Sequence, residues 1–163
     1  MANYTVRRAT LADADVLVHQ RLRMFEDMGT MDGPEVDAAR LAADFRAWLG
    51  DMMPAGRYVA WVVEDAGAPR DARIVAGGGA TIIPWPPGPR YPGRQLAFVY
   101  NVYTEPRCRG RGLARLVMET IHAYCRAERI HSLALNASSS GQPLYESMGY
   151  RVAQSPMMFL SLD

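Results

Sequence analysis

A single α/β (α+β) domain is predicted by three features of the sequence. Runs rich in β-branched and aromatic residues alternate with amphipathic helical stripes in the order β-α-α-β-β-β-α-β-α-β-β. At 163 residues and 49% hydrophobic content, the chain has the material for one real core. The strand Leu96–Thr104 is followed by Arg107-Cys108-Arg109-Gly110-Arg111-Gly112 and a helix, a join that presents backbone donors to an anion.

The elements follow in order. Tyr4–Arg8 alternates as a first strand. Thr10 can cap the next helix, where Ala14, Leu17, Val18, Arg21, Leu22, Phe25 and Met28 trace one stripe that Gly29 stops. Pro34 is read as the opening of a second helix, with Leu41, Phe45, Trp48 and Leu49 on its buried face and Gly50 at its end. Arg57–Glu64 is a strong strand and pairs through a Gly/Pro loop with Ile74–Ile83, whose Gly77-Gly78-Gly79 marks a bulge or a close approach. The segment from Pro84 to Arg94 holds too many prolines to join a sheet. After Leu96–Thr104 comes the helix from Gly110 or Gly112, with Leu113, Leu116, Val117, Ile121 and Tyr124 on its packing face. Ser132–Asn136 is a short strand, Pro143 starts a short helix that ends at Gly149, and Tyr150–Val152 and Met157–Leu162 are expected to close the chain as two strands.

The glycine-broken helix start carries the first chemistry. The leading N–H groups of a helix lack partners inside it, and the helix dipole adds partial positive charge there. Arg107, Arg109, Arg111 and Arg115 add bidentate donors suited to phosphate oxygens. A pyrophosphate is therefore the expected occupant. A Walker loop is excluded because the chain has no lysine, and the dinucleotide pattern fails because its third glycine position is Arg115.

Net charge is +1, which gives no global field for nucleic acid. No apolar run approaches a membrane span, and the N-terminus lacks the apolar core of a signal peptide, so a cytoplasmic protein is expected. Cys108 and Cys125 have no metal-ligand spacing and read as reduced thiols; no metal is expected.

Arg107-x-x-Gly110-x-Gly112 resembles the Gln/Arg-x-x-Gly-x-Gly/Ala signature of the GNAT N-acetyltransferase superfamily. Leu144-Tyr145-Glu146-Ser147-Met148-Gly149-Tyr150 is similar to its second signature, Leu-Tyr-x-x-x-Gly-Phe/Tyr, and the element order extends the likeness over residues 1–163. The resemblance implies a mixed, mostly antiparallel sheet flanked by helices. In it the strands Leu96–Thr104 and Ser132–Asn136 run parallel and splay apart around the pantetheine of acetyl-CoA. It further implies that backbone groups of Asn101, Val102 and Tyr103 pair with pantetheine. Backbone N–H groups from Cys108, Arg109, Gly110, Arg111 and Gly112 on to Leu113 and Ala114, beside Arg107, would hold the pyrophosphate. Ser138 stands where the family often has an asparagine, so the asparagine's role does not transfer; a serine there can still hydrogen-bond pantetheine or the loop.

Transfer of an acetyl group by direct attack in a ternary complex needs an oxyanion donor and an acid for the leaving thiolate. The resemblance places the Val102 backbone in the first role and Tyr145 in the second. The base is left open. The family's usual early glutamate is absent from Arg94-Gln95-Leu96-Ala97-Phe98, and Glu26, Asp27, Glu105, His19, His122 and His131 are the other titratable groups to weigh. The acceptor is expected to be a small-molecule amine, bound between the first two helices and the proline-rich loop with Trp85, Arg90, Tyr91 and Arg94. Acetylation of a protein amine, and a non-catalytic acyl-CoA-binding module, are alternative readings of the same residues. A homodimer through an edge strand at Met157–Leu162 is also open.

Overall fold

The computed structural model describes residues 3–89, 91–154 and 157–162. Its centre is a five-stranded sheet in the order β1-β2-β3-β4-β5. The strands are β1 (Tyr4–Arg8), β2 (Tyr58–Asp65), β3 (Ile74–Pro84), β4 (Gln95–Thr104) and β5 (Leu133–Leu135). The first four pair antiparallel, and β4 pairs parallel with β5. The helices are α1 (Ala14–Asp27), α2 (Ala38–Met52), α3 (Leu113–Ala127) and α4 (Gln142–Ser147).

Both faces of the sheet are covered, which explains why β2 reads as a continuous apolar run rather than an alternating one. Val59, Trp61 and Val63 pack with Val117, Met118 and Ile121 of α3. Tyr58, Ala60 and Val62 point the other way, into a cluster with Leu17, Val18, Phe45 and Leu49 of α1 and α2. The register makes this division: each residue step along β2 changes face.

Three local details differ from expectation. Helix α2 begins after Asp37, whose carboxylate accepts from the Arg40 N–H at 2.9 Å; Pro34 lies in the preceding turn. A side-chain cap satisfies an orphan donor, which proline at the first turn does not. The helix also passes through Gly50 to Met52, because Met52 and Met53 pack against the α1–α2 cluster and outweigh the modest cost of one glycine. Finally, Tyr150–Val152 and Met157–Leu162 form no strand. Met158, Phe159, Leu160 and Leu162 stand more than 80% exposed (89%, 83%, 83% and 86%). Their composition favours a strand, but a strand exists only in a ladder, and no described strand of this chain pairs with them.

The start of α1 is fastened to β1 by an ion pair. Arg7 donates from Nη1 and Nη2 to the two carboxylate oxygens of buried Asp13 at 2.8 and 2.7 Å, and the Thr10 N–H donates to the same carboxylate at 2.8 Å. The hydrogen bonds from Arg7 hold the Asp13 carboxyl below its ordinary value of 3.8. A carboxyl depressed in the folded state stabilises the fold above its unfolded value, and that contribution is lost as pH falls through the folded value. Asp13→Asn is therefore expected to cost about 1–3 kcal/mol near neutral pH. The difference from wild type should shrink in urea melts repeated below pH 3.8.

The glycine run of β3 is a site of close approach on both faces. A Cβ on Gly78 would stand 2.8 Å from Val117 Cγ1 on α3 and 3.2 Å from Val102 Cγ2 on β4. On the opposite face, a Cβ on Gly77 would meet Gln20 Oε1 at 2.5 Å and one on Gly79 the Tyr58 hydroxyl at 2.5 Å. Gly78→Ala is expected to destabilise the fold by about 1–3 kcal/mol, read from the shift of the denaturant midpoint.

Candidate active site

The sheet opens where β4 outruns β5. The two strands pair at Ala97–Leu133, Phe98–Ala134 and Val99–Leu135, and there β5 ends while β4 continues to Thr104. Opposite Gly78, β4 carries an extra residue: the register passes from Gly79–Tyr100 to Gly77–Tyr103, leaving Asn101 and Val102 as a bulge. Asn101 adopts φ 59°, a left-handed conformation that asparagine tolerates better than most residues. Its buried side chain is fixed from both ends. Arg21 Nη1 donates to Oδ1 at 2.5 Å, and Nδ2 donates to the Tyr58 hydroxyl at 3.3 Å. The result is a cleft of about 1190 Å³, with β4 as its floor and the start of α3, the α4 region and the α1–α2 pair as its walls.

The start of α3 forms one end of the cleft. A 3-10 turn at Pro106–Cys108 spends the Cys108 and Arg109 N–H groups on Glu105 and Pro106 carbonyls, at 2.8 and 3.3 Å. Gly110 and Gly112 then take φ 73° and 79°, and Gly112 becomes the N-cap of α3. The first helical bond is Leu116 N–H to Gly112 O at 3.0 Å. Among the described residues, every N–H from Gly110 to Arg115 is therefore left without a partner. Nothing stands within 4 Å of where a Cβ would be on Gly110 or Gly112, so the backbone is open to a ligand on that side. This donor set fits the pyrophosphate of coenzyme A.

The arginines of this loop divide. Arg109 lies on the cleft, donating from Nε to the Thr104 carbonyl at 3.0 Å and pairing with Asp27 of α1. Arg115 also lines it and donates to Ser147 Oγ at 2.6 Å. Arg107 turns away to the Ala72 carbonyl at 2.6 Å, and Arg111 to the Tyr4 hydroxyl at 2.9 Å. Those two side chains brace the loop against the β2–β3 connection and β1.

The opposite wall is the α4 region. Ser138 begins it: its carbonyl accepts from the Gly141 and Gln142 N–H groups at 3.0 and 2.9 Å, and its hydroxyl from Gly141 N–H at 3.2 Å. Tyr145 sits on this short helix, against Gly141 and edge-on to Tyr150 at 5.9 Å between ring centroids. The Tyr145 hydroxyl lacks a hydrogen-bond partner among the described residues, and burial raises its pKa above the ordinary 10.0. It is a phenol that keeps its proton at neutral pH, on the wall of the cleft.

The remaining wall is aromatic and carries a cation. Phe25, Phe45, Trp48, Phe98 and Tyr100 line the cleft from α1, α2 and β4. Trp48 contacts Phe45 and Tyr100 at ring-centroid distances of 5.6 and 6.3 Å. Burial pushes both the Tyr58 and Tyr100 phenols up to about 12, so neither is an anion that could partner Arg21. Arg21 was part of the apolar stripe expected of α1. Its guanidinium lies over the Phe25 and Phe45 rings at 4.8 and 4.6 Å, and it faces this wall.

The other candidates lie elsewhere. Trp85 and Tyr91 pack on one another at 6.5 Å, outside the cleft, and Arg90 lies outside the described residues. His19 is 3.7 Å from Glu105, and His122 meets the Tyr150 hydroxyl at 2.9 Å behind α4. Glu26 is paired with Arg23. Of the carboxylates, Asp27 and Asp44 line the cleft, the first bound to Arg109 and the second exposed near Arg40 at 3.7 Å.

The chain matches the family model described as the acetyltransferase (GNAT) family over residues 22–150. It belongs to the GNAT acetyltransferase family and is an acyltransferase. A GCN5-related N-acetyltransferase from Ralstonia eutropha JMP134 is 30% identical, with 97% of this chain and 99% of that one covered at a TM-score of 0.81. A predicted acetyltransferase from Clostridium acetobutylicum, solved with acetyl-CoA, is 26% identical over 99% of this chain and 96% of its own, at a TM-score of 0.77. Glucosamine-6-phosphate N-acetyltransferase from Arabidopsis thaliana shares the fold at 20% identity, with 99% of each chain covered and a TM-score of 0.63. No curated protein matches the chain.

Proposed function

We propose that this acetyltransferase moves the acetyl group of acetyl-CoA directly to the primary amine of a small molecule, with both substrates in the one cleft and residues 1–163 acting as one catalytic domain. The observation that carries the reading is the run of unpartnered N–H groups from Gly110 to Arg115, opening on the same space as the Tyr145 hydroxyl. Acetyl-CoA supplies the activated acetyl group. The backbone from Gly110 to Ala114 binds its pyrophosphate, with Arg109 and Arg115 alongside. The edge of β4 from Asn101 to Tyr103, free of β5, takes the pantetheine, and Ser138 shapes the facing wall. The Val102 N–H polarises the carbonyl at the bulge. Tyr145 holds its proton until the C–S bond breaks and then delivers it to the leaving thiolate, while the nitrogen that has attacked gives up its own proton through solvent in the cleft, which restores the phenol. Asp27 is held by Arg109 and Asp44 is exposed beside Arg40, and the reading assigns neither as a base: the amine enters in its neutral form.

The proposal extends to a cytoplasmic location and a homodimer. Cys108 and Cys125 are free and buried, which suits a reducing compartment. The exposed apolar tail Met157–Leu162 and the outer edge of β5, which no strand among the described residues pairs, suit a partner copy.

The test is thiol release from acetyl-CoA across a panel of small amines. Amine-dependent release is expected. Tight CoA binding with no turnover on any amine would leave a binding module instead, and failure to bind CoA would remove the whole reading.

A further inference from the structure

Arg21 is a half-buried cation whose charge the protein does not neutralise. Its Nη1 donates to the amide oxygen of Asn101, a neutral group, at 2.5 Å. Its Nε is buried without a hydrogen-bond partner. Among the described residues no carboxylate forms an ion pair with it: Asp27 is held by Arg109, and Asp44 stands out near Arg40. The Phe25 and Phe45 ring centroids lie 4.8 and 4.6 Å from the guanidinium, and the rings cover part of it. Burial accordingly lowers its pKa, and no neighbouring carboxylate opposes that shift. A half-buried charge without a counter-ion carries a desolvation cost, and an anion bound in the cleft offsets part of it.

The position of the guanidinium limits what that anion can belong to. It grips the side chain of Asn101, the residue beside Val102 in the bulge, so it lies at the reacting end of the cleft. The pyrophosphate cradle is at the other end, on the start of α3. One unpaired guanidinium matches a single negative charge, as on a carboxylate; a phosphate monoester carries nearly two. The planar fork of arginine suits a carboxylate in two-point contact. Trp48, Phe98 and Tyr100 beside it offer an apolar and aromatic surface for the rest of the molecule.

The geometry points to an acceptor that carries a carboxylate a few bonds from its amine, an amino acid with an apolar or aromatic side chain, whose carboxylate is bound by Arg21. This rests on the acetyl-transfer reading, and it adds the class of substrate. Arg21 is a specificity residue here: it binds the acceptor and takes no part in bond making.

The test compares phenylalanine with phenylalaninamide and phenethylamine, with O-phosphoethanolamine as the phosphoryl arm. For the wild type, kcat/KM counted per neutral amine should be about 10–100-fold higher for the amino acid than for the amide, the worth of one charge-assisted contact. In Arg21→Gln that ratio should fall to about one, and Arg21→Lys should restore part of it. Using the ratio within each variant removes any general disturbance of the bulge, and the CoA Kd of each variant checks that the cleft is intact. Calorimetry with N-acetylphenylalanine, with and without CoA, should show binding to wild type that Arg21→Gln loses. Equal turnover of acid and amide, a ratio untouched by Arg21→Gln, a preference for the phosphoryl amine, or no binding of N-acetylphenylalanine would each overturn the assignment. Turnover confined to amines without a carboxylate would overturn it while leaving acetyl transfer standing. Absence of CoA binding would instead strike the acetyl-transfer reading.

Discussion

Tyr145→Phe is expected to lower kcat by about 10²–10⁴-fold, the usual range for loss of a positioned acid. The ring's contacts with Gly141 and Tyr150 are kept in this variant, so only the hydroxyl is removed. The Kd for acetyl-CoA should stay within a factor of about two, since the cradle on α3 is untouched, and the defect should fall on kcat and kcat/KM together. The pH profile carries a second signature. Burial holds the Tyr145 phenol above 10.0, so in the wild type it remains a proton donor up to at least that pH. The rate should therefore rise with pH as the amine loses its proton, with no alkaline fall below 10.0. Steady-state kinetics across pH for both proteins checks this. A Tyr145→Phe enzyme of wild-type rate, or an alkaline limb near neutrality that the substitution leaves in place, would remove Tyr145 as the acid.

Gly112→Asp is expected to weaken CoA binding by about 100-fold or more. Two effects combine. Gly112 sits at φ 79° as the N-cap of α3, and a side chain in a left-handed conformation costs about 1–2 kcal/mol. The new carboxylate would also stand beside the N–H groups proposed to receive the pyrophosphate, and like charges about 4 Å apart repel by up to about 4 kcal/mol near a protein surface. Gly112→Ala separates the two: it carries the strain without the charge and should weaken binding by about tenfold at most. Titration calorimetry with CoA at low and high salt reads both, and the Asp variant's deficit should narrow as salt screens it. An Asp variant that binds like wild type would mean the pyrophosphate lies elsewhere.

The features on which the proposed donor half rests are local in the sequence. Glycines at fixed spacing, a preceding strand and an amphipathic helix give the α3 cradle without long-range information, and the α4 signature places Tyr145 in the same way. Even so, the division of labour among the arginines was not legible. Arg107 and Arg111 lie on the same loop as Arg109, and only the packing of β1 and the β2–β3 connection turns them away from the cleft. The aromatic wall that carries Arg21 is assembled from α1, α2 and β4, which meet only in the folded sheet. Arg21 nevertheless had a signal that could have been read. It lies on the buried stripe of α1, and its neighbours at three and four positions are Leu17, Val18, Met24 and Phe25, none of them acidic. An arginine facing a core with no acid in reach asks for a partner from outside the helix.

The two closing strands show the opposite case, a strong local signal that the fold does not use. Met157–Leu162 has strand composition, but hydrogen-bond partners for a strand come from another strand, and β5 is only three residues long. The α2 boundaries differ from the sequence expectation for a related reason: proline and glycine mark where helices can start and stop, while the Asp37 cap and the packing of Met52 and Met53 decide where this one does.

CoA is expected to lie in the β4–β5 cleft with its pyrophosphate on the backbone of α3. The direct measurement is an amide-resolved NMR titration of the isotopically labelled protein with CoA. Saturable shifts are expected to concentrate on the amides from Gly110 to Arg115 and from Asn101 to Tyr103, with those of Ser138 and Tyr145 moving in step. Absence of saturable shifts, or shifts centred on residues outside this cleft, would contradict it.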